Sequence, residues 1–134
     1  AWLRTKKMYK VLSRFFSYDL SCLDNDPFSL TGNGGVGLIR PFMFESGLIE
    51  LPCNLLFESP VYWGVPSVNL LDYWKPKIKF VEHFKGMLLV TTHPDQNYLG
   101  NSRMLAAYEK MLGFLADNNW RAMLPRDLEG NLRK

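Results

Sequence analysis

The residues best suited to proton chemistry in this chain are His93, Pro94 and Asp95, which follow directly on the apolar run MLLVTT at residues 87–92. An imidazole ordinarily titrates near ~6.5, so a histidine at a strand end has the right range for a general acid or base. Pro94 stiffens the exit from the strand, and Asp95 is placed to orient the ring or to set its charge. Glu50, at the end of the strand-like LIEL run, is the best carboxylate for the same mouth; its bland alternative is a solvated edge residue. A strand-end histidine can equally be structural, and the spacing alone leaves that open.

Other chemistries find little support. His83 lies on a predicted helix ten residues of helix, turn and strand before His93, and no H-E-x-x-H, G-x-S-x-G or C-x-x-C occurs. Metal centres usually need three or four converging ligands, so no metal ligand is assigned. Cys22 and Cys53 are too few for a disulfide framework or a zinc cluster and read as free, mostly buried thiols. Gly32, Gly34 and Gly37 match G-x-G-x-x-G, but the dinucleotide motif needs a helix after it, and LIRPFMF follows instead.

Those candidates must be held by a single core. The chain has 134 residues, 47% hydrophobic and 14% aromatic, enough for one domain and short of two. Sixteen Lys and Arg against thirteen Asp and Glu leave a net charge of +3, too mild and too local for a nucleic-acid footprint. No run approaches the roughly 20 apolar residues of a membrane span. No signal segment opens the chain, and localisation stays open because Ala1 is not a methionine; the chain reads as starting within a longer protein.

Periodicity predicts the elements. Residues 2–16 have amphipathic helical spacing with a basic face, expected to pack on the chain's own domain with solvated lysines. Turn chemistry fills 24–37, and LIEL forms a strand stopped by Pro52. From 69 to 84 the pattern is helical, with Pro76 in the first turn or breaking the helix, and Gly86 ends it. The run 87–93 is the clearest strand. Asn101 or Ser102 caps a second long helix whose stripe is Met104, Leu105, Tyr108, Met111, Leu112 and Leu115. Residues 120–124 predict a last strand, and Pro125 starts a terminal helix. The alternation predicts an α/β fold of parallel strands and helices, as an open sheet or part of a barrel.

Taken in order, YDLS at 18–21, DNDPF at 24–28, PFMFESGLIELP at 41–52, DYWKPKI at 72–78, GMLLVTTHPD at 86–95, LAAYEKMLGFL and NNWRAMLPRDL resemble the later half of the NodB-like polysaccharide deacetylases. The resemblance implies a partial distorted (β/α) barrel, with residues 1–134 forming a single domain or the C-terminal half of a longer one. It implies a hydrolase in which a divalent metal, usually zinc, activates water against the acetamido carbonyl of a glycan, and a late histidine protonates the departing amine. His93 stands at that position. Leu89 and Val90 would line the wall facing the acetyl methyl, with Glu50 and Asp95 beside the substrate. The family's Asp-Asp pair and two spaced histidines are absent, so the metal is expected from a missing half or from a second chain or copy completing the barrel. Alternatives are a non-catalytic remnant that binds glycan or protein, with Tyr62, Trp63, Tyr98 and Trp120 available to stack on sugars, and an unrelated open α/β domain in which His93 is structural.

Overall fold

The computed structural model describes residues 5–24 and 37–132, with the side chains of 129–132 left aside. Trp2 and Leu3, most of the DNDPF segment, and Gly32 and Gly34 of the glycine motif fall outside the described residues.

The fold is mixed α/β, with small, largely parallel sheets and packed helices, and the described strands form no closed barrel. Helix α1, Lys6–Leu12, is started by Thr5, whose hydroxyl accepts from the Met8 amide at 3.2 Å. Strand β1, Tyr18–Asp19, pairs parallel with β3, Ile49–Glu50. Strand β2, Phe42–Met43, pairs with β3 antiparallel through a tight hairpin. That hairpin departs from the all-parallel expectation, and Gly47 at φ 80° supplies the left-handed turn it needs.

Pro52 was expected to stop the third strand, yet pairing continues past it. The Leu51 and Cys53 amides donate to the carbonyls of Asp19 and Cys22 at 2.9 and 2.7 Å. Alternate residues face the β1 side, so the amide that proline lacks falls at a position the ladder does not use. The chain then reaches β4, Leu55–Leu56, which pairs parallel with β5, Val90–Thr91. Before that ladder begins, Asn54 stands in for a strand pair: its Nδ2 donates to the Met87 carbonyl and its Oδ1 accepts from the Leu89 amide.

Helix α2, Ser59–Tyr62, and a 3-10 turn at Ser67–Asn69 lead into α3, Leu70–His83. Pro76 neither opens nor breaks α3; it sits inside a continuous helix, on the exposed side. The turns around it are held by burial of Leu70, Trp74, Ile78 and Val81. Gly86 follows the helix as expected, and the reason is close approach: a Cβ there would lie 2.8 Å from the Ile39 carbonyl oxygen. Asn101 caps α4, Ser102–Asp117, accepting from the Arg103 amide at 2.9 Å. Its buried stripe is Met104, Ala107 and Met111, while Leu105 and Leu112 are exposed. Residues 120–124 form no strand, although Trp120 packs on the core. Helix α5, Pro125–Leu132, starts at the predicted proline.

Leu55, Phe57, Leu70, Trp74, Ile78, Met104, Ala107 and Met111 make one core between β4, α3 and α4. Behind it, polar groups are buried too. Lys77 Nζ lies 2.5 Å from Asp24 Oδ2, both side chains inaccessible, and Cys53 Sγ shares a hydrogen bond with Thr91 Oγ1 at 2.8 Å.

Neither cysteine is in a disulfide, and both are buried. Burial pushes the Cys53 thiol above its ordinary value of 9.0, and the charges of Glu50 and Asp24 add to the rise; the bond to Thr91 opposes it. A group whose folded pKa is raised contributes stability that is complete below the unfolded value and is lost as pH rises through the folded one. Cys53 is therefore expected to make the fold lose stability from about pH 9 upward. Urea unfolding of the wild type and Cys53→Ala at pH 8 and pH 10 checks this: the gap between the two proteins should shift against the wild type at the higher pH.

Candidate functional site

The register of the second sheet builds the site. Leu56 pairs with Thr91, so two residues further on Glu58 and His93 leave parallel neighbouring strands side by side, at the carboxyl edge. The Phe57 amide donates to the Thr91 carbonyl at 3.1 Å, carrying the pairing up to that edge.

Glu58 is the residue that sequence reasoning did not single out. Its carboxylate is 3% exposed and takes two bonds from one partner: the His93 amide donates to Oε1 at 2.6 Å, and His93 Nδ1 lies 3.1 Å from Oε2. An ionised carboxylate can only accept, so the contact places the proton on Nδ1 and leaves Nε2 as the ring's remaining proton site. Glu58 also occupies the N-cap of α2 without capping it, because its side chain is committed to His93. The histidine ring itself is open, with its side chain 60% exposed.

Around this dyad is a cavity of about 460 Å³ lined by Leu56, Glu58, Ser59, Tyr62, Trp63 and His93. Tyr62 and Trp63 are exposed on its rim. Tyr98 connects the two sides: its ring centroid is 5.2 Å from that of His93 and 5.5 Å from that of Tyr62. A cavity lined by a carboxylate-held imidazole and two exposed aromatic rings suits a ligand with apolar ring faces and a group that exchanges a proton.

The other predicted residues lie elsewhere. Asp95 does not hold the histidine: its Oδ1 accepts from the Asn97 amide at 2.9 Å, and its carbonyl closes the loop on the amides of Tyr98 and Gly100. An acid two residues down a tight turn is taken up by local amides, while one on the neighbouring strand meets the ring. Glu50 is neither a solvated edge nor a lining residue of the cavity. It is fully buried, with Oε1 accepting from the Cys22 amide at 2.8 Å. Leu89 and Val90 line a different hollow of about 670 Å³ between β5, α4 and the segment after it, and Trp120 belongs to that hollow as well.

Among the described residues no three His, Cys, Asp or Glu side chains converge on a point where a metal would sit. No helix among them is long and apolar enough to cross a membrane. Comparison of the chain with protein-family models, with curated proteins and with solved structures gives no match.

Proposed function

We propose that this chain is the later part of a polysaccharide-deacetylase-like (β/α) barrel and that His93 handles the proton in hydrolysis of acetamido groups on a glycan. The observation that carries the reading is the Glu58–His93 pair at the carboxyl edge of adjacent parallel strands, where α/β barrels place their reacting groups. It is joined by the ordered resemblance of the chain to the NodB type.

In this reading a sugar ring stacks on Tyr62 and Trp63, and its acetamido group reaches the dyad. Amide hydrolysis adds water oxygen to the carbonyl carbon and breaks the carbon–nitrogen bond. His93 takes the proton released by the attacking water at Nε2 and passes it to the nitrogen, which leaves as an amine. Glu58 holds the ring through Nδ1 and leaves Nε2 for that transfer. The described residues do not fit the divalent metal that the family resemblance implies. The open sheet edges fit a second copy, or another chain segment, that would complete the barrel and bring such a site.

The second reading, a glycan-binding remnant without turnover, is favoured by the exposed Tyr62 and Trp63 on the cavity rim. One experiment separates the two: the protein in its native length is mixed with an N-acetylated chito-oligosaccharide and zinc, acetate release is measured, and amide resonances are followed by NMR. The deacetylase reading expects acetate and its loss in His93→Ala. Shifts at Tyr62, Trp63 and His93 without acetate indicate binding only, and neither signal removes glycans from consideration.

A further inference from the structure

The segment TKKMYKVLSRFF, residues 5–16, has four cations and no acid. Within α1 at 100° per residue, Met8, Tyr9 and Leu12 share one side, with Lys6, Lys10 and Lys7 round the other and Val11 at its edge; Arg14, Phe15 and Phe16 follow in the turn beyond the helix end. Burial agrees with this division. Met8, Tyr9 and Leu12 are half-buried, and every cation is exposed.

Helix α1 packs on its own domain through this side, with its lysines solvated as expected, yet it buries no residue fully. Val11 remains 45% exposed, Phe15 74% and Phe16 60%. The helix is fixed in that attitude: the Tyr9 ring stacks on Phe44 at 3.9 Å, and its hydroxyl lies 3.4 Å from Cys22 Sγ. Glu45 lies 3.9 Å from Lys6 with both side chains almost fully exposed, so solvent screens the pair. Two large aromatic rings thus stand in water beside four exposed cations.

We propose that α1 and the turn after it, residues 6–16, dock on a membrane surface rich in anionic lipid. Lys6, Lys7, Lys10 and Arg14 meet the headgroups, and Val11, Phe15 and Phe16 enter the boundary between headgroup and acyl chain. The arrangement is that of an interfacial helix: cations beside an apolar edge, too short to span. The charge selects the occupant. A protein partner covering Phe15 would need its own acidic rim, whereas an anionic bilayer presents negative charge and an apolar layer together. Anchoring through one short helix is reversible, and it places the domain, with its cavity, on a surface instead of in bulk solvent.

The test is sedimentation of the protein with vesicles of phosphatidylcholine alone and with a quarter phosphatidylserine, at low salt and at 0.5 M salt. Binding is expected only to the anionic vesicles, with loss at high salt. Lys7→Ala, Lys10→Ala and Arg14→Ala should each weaken it about fivefold, and Phe15→Ser about tenfold. All four positions are exposed, so thermal melting by circular dichroism should be unchanged. Absence of binding to the phosphatidylserine vesicles overturns the proposal. So does equal binding to both vesicle types, or self-association without lipid that Phe15→Ser abolishes.

Discussion

Glu58→Gln is expected to leave the fold intact and to lower acetate release about a thousandfold. The carboxylate holds His93 twice, at the backbone amide and at Nδ1. A glutamine oxygen can still accept from the amide at 2.6 Å, so the loop stays in place. The glutamine NH₂ then faces Nδ1 and donates to it, which reverses the tautomer and moves the proton of the neutral ring to Nε2. The imidazolium form loses its counter-charge at the same time. A comparable carboxylate-to-amide change in the serine protease triad costs about 10⁴-fold through the wrong tautomer, and general acid catalysis is worth about 10² to 10⁴. Nitrogen-15 NMR of the imidazole reads the tautomer directly: Nδ1 protonated in the wild type, Nε2 protonated in the variant. Acetate release unchanged by Glu58→Gln would remove the dyad from the reaction even if His93→Ala were inactive.

His93 was legible because its own neighbours announce it: an apolar run, then a ring locked by Pro94. Glu58 was not, because nothing within its neighbourhood FESPVYW pairs it with a residue 35 positions later. That pairing is a property of register, and register is set by which strands lie adjacent and how they slide, not by local pattern. The same limit explains Asp95. Nearness in sequence made it the natural partner of His93, whereas a turn consumes its carboxylate two residues on.

The helices were read better than the strands. A 3.6-residue period over 14 or 16 positions averages out single exceptions, so α3 and α4 and the Asn101 cap fall where expected. Their faces were less exact, since α4 buries small Ala107 and exposes Leu105 and Leu112. The strands are two residues long in each case, and their identity comes from partners instead of composition. Residues 120–124, expected as a strand, find no strand partner and stay irregular. Lys77 is the clearest departure from pattern. A lysine on α3 predicts solvent, yet it is buried in the helix's inner row beside Trp74, Ile78 and Val81.

That burial leads to the largest stability effect expected in the molecule. Lys77→Met should destabilise the fold by about 3–5 kcal/mol, because it removes the cation facing Asp24 and leaves a carboxylate inside. Asp24 has little other help: Oδ2 is bonded to Lys77, and Oδ1 has no hydrogen-bond partner. The pair is not strongly stabilising in itself. Burial pulls Lys77 below its ordinary 10.5, and the contact with Asp24 only works against that shift. A lysine lowered in the folded state gives stability that grows as pH rises toward 10.5 and is lost as pH falls through the folded value. The double variant Asp24→Asn, Lys77→Met should accordingly recover most of the loss, since replacing both ends of a buried pair is often neutral. Urea unfolding of the wild type, both single variants and the double variant measures the coupling. If Lys77→Met alone costs under about 1 kcal/mol, the pair is solvated in solution and the argument fails. The consequence reaches the site. Asp24 is tied to the Cys53 carbonyl through its own amide at 2.9 Å, so Lys77 fastens α3 to the sheet. From the same helix, Trp74 Nε1 donates to the Phe57 carbonyl at 3.1 Å, one residue before Glu58. A slackened α3 therefore loosens the carboxylate that orients His93, and Lys77→Met should lose acetate release along with stability while the double variant regains both.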